Sequence, residues 1–84
     1  MEFKYKTHGT CSRLIEFNLN DDNTVTNIRF TGGCDGNLKG ICSLCEGMDA
    51  EEIIDRVEGI TCGHKSTSCP DQLSKALCDA LMQK

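Results

Sequence analysis

Seven of the 84 residues are cysteines: Cys11, Cys34, Cys42, Cys45, Cys62, Cys69 and Cys78. A thiol can ligate a soft metal, exchange electrons or disulfides, or pack as a small apolar group. The N-terminus, Met1-Glu2-Phe3-Lys4, has no apolar leader region, and the cysteine count is odd. A secreted disulfide framework therefore fits poorly. Reduced thiols doing metal or redox work in the cytoplasm are the expectation.

Cys42-Ser43-Leu44-Cys45 forms a C-x-x-C. No βαβ pattern surrounds it, and both cysteines fall on the apolar face of a helical stretch, so core packing is the expected role. A second candidate is Gly32-Gly33-Cys34-Asp35-Gly36-Asn37, which leads from a strand into a helix. Such a turn offers backbone N–H groups to a phosphate. Gly33, Asp35, Gly36, Asn37 and Lys39 would then bind a nucleotide or other anion. The plainer reading is glycines required by a tight turn, since the pattern is neither G-x-G-x-x-G nor a P-loop. His8 and His64 lie near Cys11 and Cys62 in sequence and are alternative ligands or solvated loop residues. No Ser/His/Asp constellation and no paired carboxylates in a cleft are seen, so no self-contained active site is expected.

The formal net charge is −4, with no basic cluster longer than two residues. Nucleic-acid binding, which needs a basic stripe, is not expected. Neither is a membrane span, since no apolar run approaches about 20 residues. The length allows one domain, residues 1–84. With 38% hydrophobic residues, 5% aromatics and no Trp, its core is small. Domains of this size often rely on a metal, a disulfide or a partner subunit, here including a second copy of the chain.

The elements that must position these groups follow from hydrophobic periodicity. Phe3, Tyr5 and Thr7 alternate with lysines in a short strand, and Ile15, Phe17 and Leu19 alternate with Glu16 and Asn18 in a second. Asn20-Asp21-Asp22-Asn23 turns the chain into a third strand, Val25 to Thr31, with Ile28 and Phe30 on one face. Pairing Ile15 with Phe30, Phe17 with Ile28 and Leu19 with Thr26 gathers the apolar side chains on one face. The same register carried outward sets Cys11 opposite Cys34, both in phase with the buried face. The other sheet face, with Lys4, Lys6, Glu16, Asn18, Asn27 and Arg29, is polar.

Three helices are predicted beyond the strands. Leu38, Ile41, Cys42 and Cys45 mark the first. Asp49 caps the second, with Glu52 as its capping-box partner, Met48 and Ile53 as a hydrophobic staple and Gly59 at the far end. Ser68 or Cys69 caps the third, Pro70 sits in its first turn, and Leu73, Ala76, Leu77, Ala80 and Leu81 form its apolar stripe. The fold class is α+β: a small antiparallel sheet of about three strands, then three helices packed on one face.

Thr67-Ser68-Cys69-Pro70-Asp71-Gln72-Leu73 spells the motif that names the TSCPD family. Two further stretches, Gly33 to Ile41 and Gly59 to Lys65, also resemble that family, and the likeness runs from about Cys11 to Ala80. The family occurs as a C-terminal domain of ribonucleotide reductases, chiefly adenosylcobalamin-dependent ones, and as small free-standing proteins. This sequence looks like the free-standing kind, whose four-cysteine pattern maps onto Cys11, Cys34, Cys62 and Cys69. The resemblance implies an accessory module whose partner is a reductase or another protein. The resemblance covers no counterpart of the much larger catalytic barrel, so this chain is not expected to reduce a ribonucleotide alone.

Three readings of the four cysteines stay open. They could hold zinc, although the six residues between Cys62 and Cys69 exceed the usual spacing within a ligand pair. They could form a redox cluster led by Cys69, whose place at a helix start lowers a thiol pKa. They could also be packing residues.

Overall fold

The computed structural model describes residues 1–33 and 35–83; Cys34 and Lys84 lie outside the described residues. The elements run β1 (Glu2–Lys6), β2 (Ser12–Leu19), β3 (Val25–Gly32), α1 (Asp35–Cys45), α2 (Ala50–Val57) and α3 (Cys69–Gln83). The three strands form one antiparallel sheet in the order β1-β2-β3. The fold is α+β, as the alternation and the helical stripes predict.

In the β1–β2 pair, Phe3 faces Phe17 and Tyr5 faces Ile15. The Phe3 and Phe17 rings stack with centroids 5.7 Å apart, the kind of cross-strand contact that stabilises a sheet. In the β2–β3 pair, Ile15 faces Phe30 as expected, but the register shifts on both sides of it. Leu19 faces Val25 and Asn18 faces Thr26; the expected Leu19–Thr26 and Phe17–Ile28 pairs do not form.

The cause of the first shift is a bulge at Asn27, whose φ is 56°. Val25 and Ile28 are three residues apart, so strict alternation would send them to opposite faces. One extra residue brings both into the core, at 0% and 5% exposure. Asn tolerates the left-handed backbone that this bulge requires.

The second shift places Arg13 as an extra residue on β2, between Ser12 and Leu14. It reverses the phase of everything before it. Ser12 is therefore buried and Cys11 exposed, where unbroken alternation puts Cys11 on the buried face. The expected pairing of Cys11 with Cys34 lies outside the described residues, and the register that suggests it has shifted by one before Cys11 is reached.

α3 packs over β1 and β2, α2 packs on α3, and α1 lies against β3. Ile15, Phe17 and Val25 join Cys45, Ile53, Leu73 and Leu77 in a single apolar cluster. The side chain of Asp49 caps α2 by accepting the Glu51 N–H at 3.1 Å. Glu52 does not close the capping box; it binds Arg56 one turn on, at 3.1 Å. Gly59 follows the α2 cap with φ 82°, a conformation that glycine adopts without a steric cost.

The two edges of the sheet differ. The edge of β3 is occupied: Val25 N–H donates to Met48 O at 2.9 Å, Gly47 N–H to Val25 O at 2.7 Å, and Asn27 N–H to the Glu46 carboxylate at 3.0 Å. Among the described residues, the outer edge of β1 has no partner strand. Lys4, Glu16, Asn18, Asn27 and Arg29 line an open groove of about 620 Å³ together with Cys42 and Ser43 of α1 and Glu46 just after it. Among the described residues, no helix is long and apolar enough to cross a membrane.

Candidate functional site

The start of α3 is a buried polar knot. The Ser68 hydroxyl accepts the Asp71 N–H at 3.2 Å, which makes Ser68 the N-cap, Cys69 the first helical residue and Pro70 the second. The same hydroxyl donates to Ile60 O at 2.6 Å. The Asp71 carboxylate accepts the Thr67 hydroxyl at 2.5 Å and the Gly59 N–H at 2.8 Å. The Gln72 amide donates to Thr67 Oγ1 at 3.0 Å, and its oxygen accepts the His8 N–H at 3.0 Å. One hexapeptide thus ties α3 to the end of α2 and to the β1–β2 connection. The Thr67 hydroxyl and the Gly59 N–H hold the Asp71 carboxyl below its ordinary value, against the opposing effect of burial.

This knot fixes Cys69, which is only 7% exposed. Its Sγ lies 3.1 Å from Ser12 Oγ and 3.9 Å from Cys11 Sγ. Burial pushes the Cys69 thiol up. Hydrogen bonds from the Ser12 hydroxyl and backbone, then from Thr10 and Cys11, outweigh burial and hold it below the ordinary thiol value. The position at a helix start suggested this direction, but the hydroxyl-bearing residues around Cys11 contribute the named hydrogen bonds.

Cys11, Cys62 and Cys69 line one pocket of about 390 Å³, with Asn37, Leu38, Ile41, Lys65 and Pro70 among its walls. These cysteines come from the β1–β2 connection, the α2–α3 loop and the first turn of α3. Cys62 is exposed, and its N–H is anchored to Thr67 O at 3.2 Å. Cys34 lies outside the described residues. Its neighbour Gly33 has φ +83°, and a Cβ there would come 2.9 Å from Leu38 Cδ1 and 3.2 Å from Cys11 Sγ. That approach, together with the backbone conformation, requires glycine. Among the described residues, no group of three His, Cys, Asp or Glu side chains is close enough to hold a metal ion.

The other expected residues fall elsewhere. Cys45 is buried in the core and Cys42 packs against it. Burial pushes both thiols up, which suits packing and disfavours thiolate chemistry. Cys78 is exposed on α3, and its thiol is also raised, chiefly by desolvation. In the glycine turn, Asp35 opens α1 and binds Lys39 at 3.0 Å, while Asn37 faces the cysteine pocket. His8 and His64 are exposed and do not line that pocket.

Sequence reasoning gave no site role to Thr10 and Ser12, nor to Thr67, Asp71 and Gln72 beyond their place in the motif. The available signal was Thr10-Cys11-Ser12, two hydroxyls flanking a cysteine, and a run of polar residues at the head of an apolar helix.

Fold and site together define a small cysteine-rich α+β domain in which the Cys11 and Cys69 sulfurs lie 3.9 Å apart where the last helix starts. Residues 3–81 match the model of the TSCPD domain, and the chain belongs to that family. No curated protein and no solved structure matches it significantly.

Proposed function

We propose that the chain is a non-catalytic accessory module, related to the C-terminal domain of ribonucleotide reductases, with Cys11, Cys34, Cys62 and Cys69 as the ligands of a structural zinc ion. One observation carries the reading: the 3.9 Å between the sulfurs of Cys11 and Cys69. Zinc–sulfur bonds of about 2.3 Å in a tetrahedron set neighbouring sulfurs about 3.8 Å apart. A disulfide would need about 2.05 Å. The depressed Cys69 thiol favours the thiolate that a metal requires. Cys62 lines the same pocket from an exposed loop, and Cys34 follows a glycine packed beside Cys11. Bound zinc would join the β1–β2 connection, the α2–α3 loop and α3, compensating for a small core.

The test is metal analysis of untagged protein. One zinc per chain is expected, retained when Cys42 and Cys45 are both replaced by Ala and lost in Cys69→Ser. Metal-free protein that takes up no added zinc contradicts the reading, as does loss of metal from the Cys42/Cys45 variant.

A second reading is a thiol redox carrier feeding a reductase. It is favoured by the depressed Cys69 thiol with Cys11 within reach. Metal-free protein with one fast-reacting thiol near neutral pH would select it. Nucleotide binding at Gly33, Asp35, Gly36, Asn37 and Lys39 has less support, because Lys39 is already paired with Asp35.

A further inference from the structure

We infer that β1 is a self-pairing edge, and that its partner is β1 of a second copy of this chain, running antiparallel about a two-fold axis. β1 is Glu2-Phe3-Lys4-Tyr5-Lys6. Met1 and Leu19 exchange backbone hydrogen bonds, and Thr7 N–H donates to Arg13 O, so the odd residues turn their backbone groups toward β2. The even residues, Glu2, Lys4 and Lys6, therefore turn theirs outward. An antiparallel copy centred on Lys4 uses all of these groups. It sets Glu2 opposite Lys6 twice and Phe3 opposite Tyr5 twice.

Except at the axis, where Lys4 meets Lys4, the strand is thus complementary to itself in charge and in aromatic content. Phe3 and Tyr5 are only partly buried against the core, so a second copy would cover apolar surface now half exposed. Lysines commonly protect edge strands from pairing. Here Glu2 answers Lys6 across the axis, and each Lys4 at the axis has Glu16 beside it at 3.9 Å. The opposite edge of the sheet offers no such site, since Glu46, Gly47 and Met48 occupy it. This placement is independent of the cysteine pocket, which contains no β1 residue.

So short an interface makes a weak dimer, with a dissociation constant on the order of 100 µM. Sedimentation equilibrium of the full chain over a wide concentration range is the test. The parent should dimerise reversibly. Lys6→Glu should weaken association about tenfold by turning two attractive cross-strand pairs repulsive. Adding Glu2→Lys to it should restore the parent value. Lys4→Pro, which removes an outward-facing N–H and leaves the β1–β2 ladder intact, should abolish the dimer. A chain that stays monomeric at millimolar concentration overturns the inference. So does a dimer indifferent to the Lys6→Glu change or not rescued by the exchange of charges. Circular dichroism of each variant separates lost association from lost folding.

Discussion

The Sγ of Cys69 lies 3.1 Å from the hydroxyl oxygen of Ser12, a residue 57 positions earlier in the chain. That contact joins the first turn of α3 to the entry of β2, and it heads the hydrogen bonds that favour the thiolate. Replacing Ser12 by Ala should raise the Cys69 pKa. A titration of thiolate ultraviolet absorbance on metal-free protein checks it. An unchanged or lower value would show that the hydroxyl does not tune the thiol.

Asp71 is buried and accepts from Thr67 and Gly59. Asp71→Asn should cost about 2 kcal/mol of stability, because one buried donor would then face an amide N–H. Denaturant unfolding at neutral pH measures it. A cost near zero would show that the knot contributes little.

The same carboxyl sets a pH dependence. Its folded pKa is depressed, so its contribution is fully present above the unfolded value of about 3.9 and is lost as pH falls through the lower folded value. The stability gap between the parent and Asp71→Asn should therefore shrink below about pH 4. A gap that is constant down to acid unfolding would contradict that origin.

Two glycines near the site should respond oppositely to Ala. Gly33 has a positive φ and would drive a Cβ into Leu38 and Cys11, so Gly33→Ala should destabilise by more than about 1 kcal/mol. Gly40, within α1, has open space around its Cβ position. There Ala should stabilise by about 0.5–1 kcal/mol. Thermal melts of both variants decide the matter, and equal effects would remove the distinction.

The pattern of residues made the sheet and helices legible, while the bulges were not. Alternation found all three strands and the Ile15–Phe30 pair, since one slip there would expose the core. It could not locate Arg13 as an inserted residue, and so it placed Cys11 on the wrong face. The spacing of Val25 and Ile28, with Asn27 between them, carried a readable trace of the other bulge. For the site, Cys69 was legible from its place at a helix start. The buried roles of Asp71 and Gln72 were not, because their partners at Gly59 and His8 are distant in sequence and become neighbours only through tertiary packing.

Cys42 and Cys45 should behave as core residues. Replacing both by Ala should lower stability by about 1–3 kcal/mol through lost packing, with no change in metal content. Chemical denaturation and metal analysis of the same sample give both readouts.

The measurement that bears most directly on the four-cysteine centre is zinc-edge X-ray absorption of untagged protein, read together with the melting temperature before and after chelation. The account predicts four sulfur ligands at about 2.3 Å and a large drop in melting temperature when the metal is removed. A zinc shell dominated by nitrogen or oxygen, or a protein that melts identically with and without the metal, would contradict it.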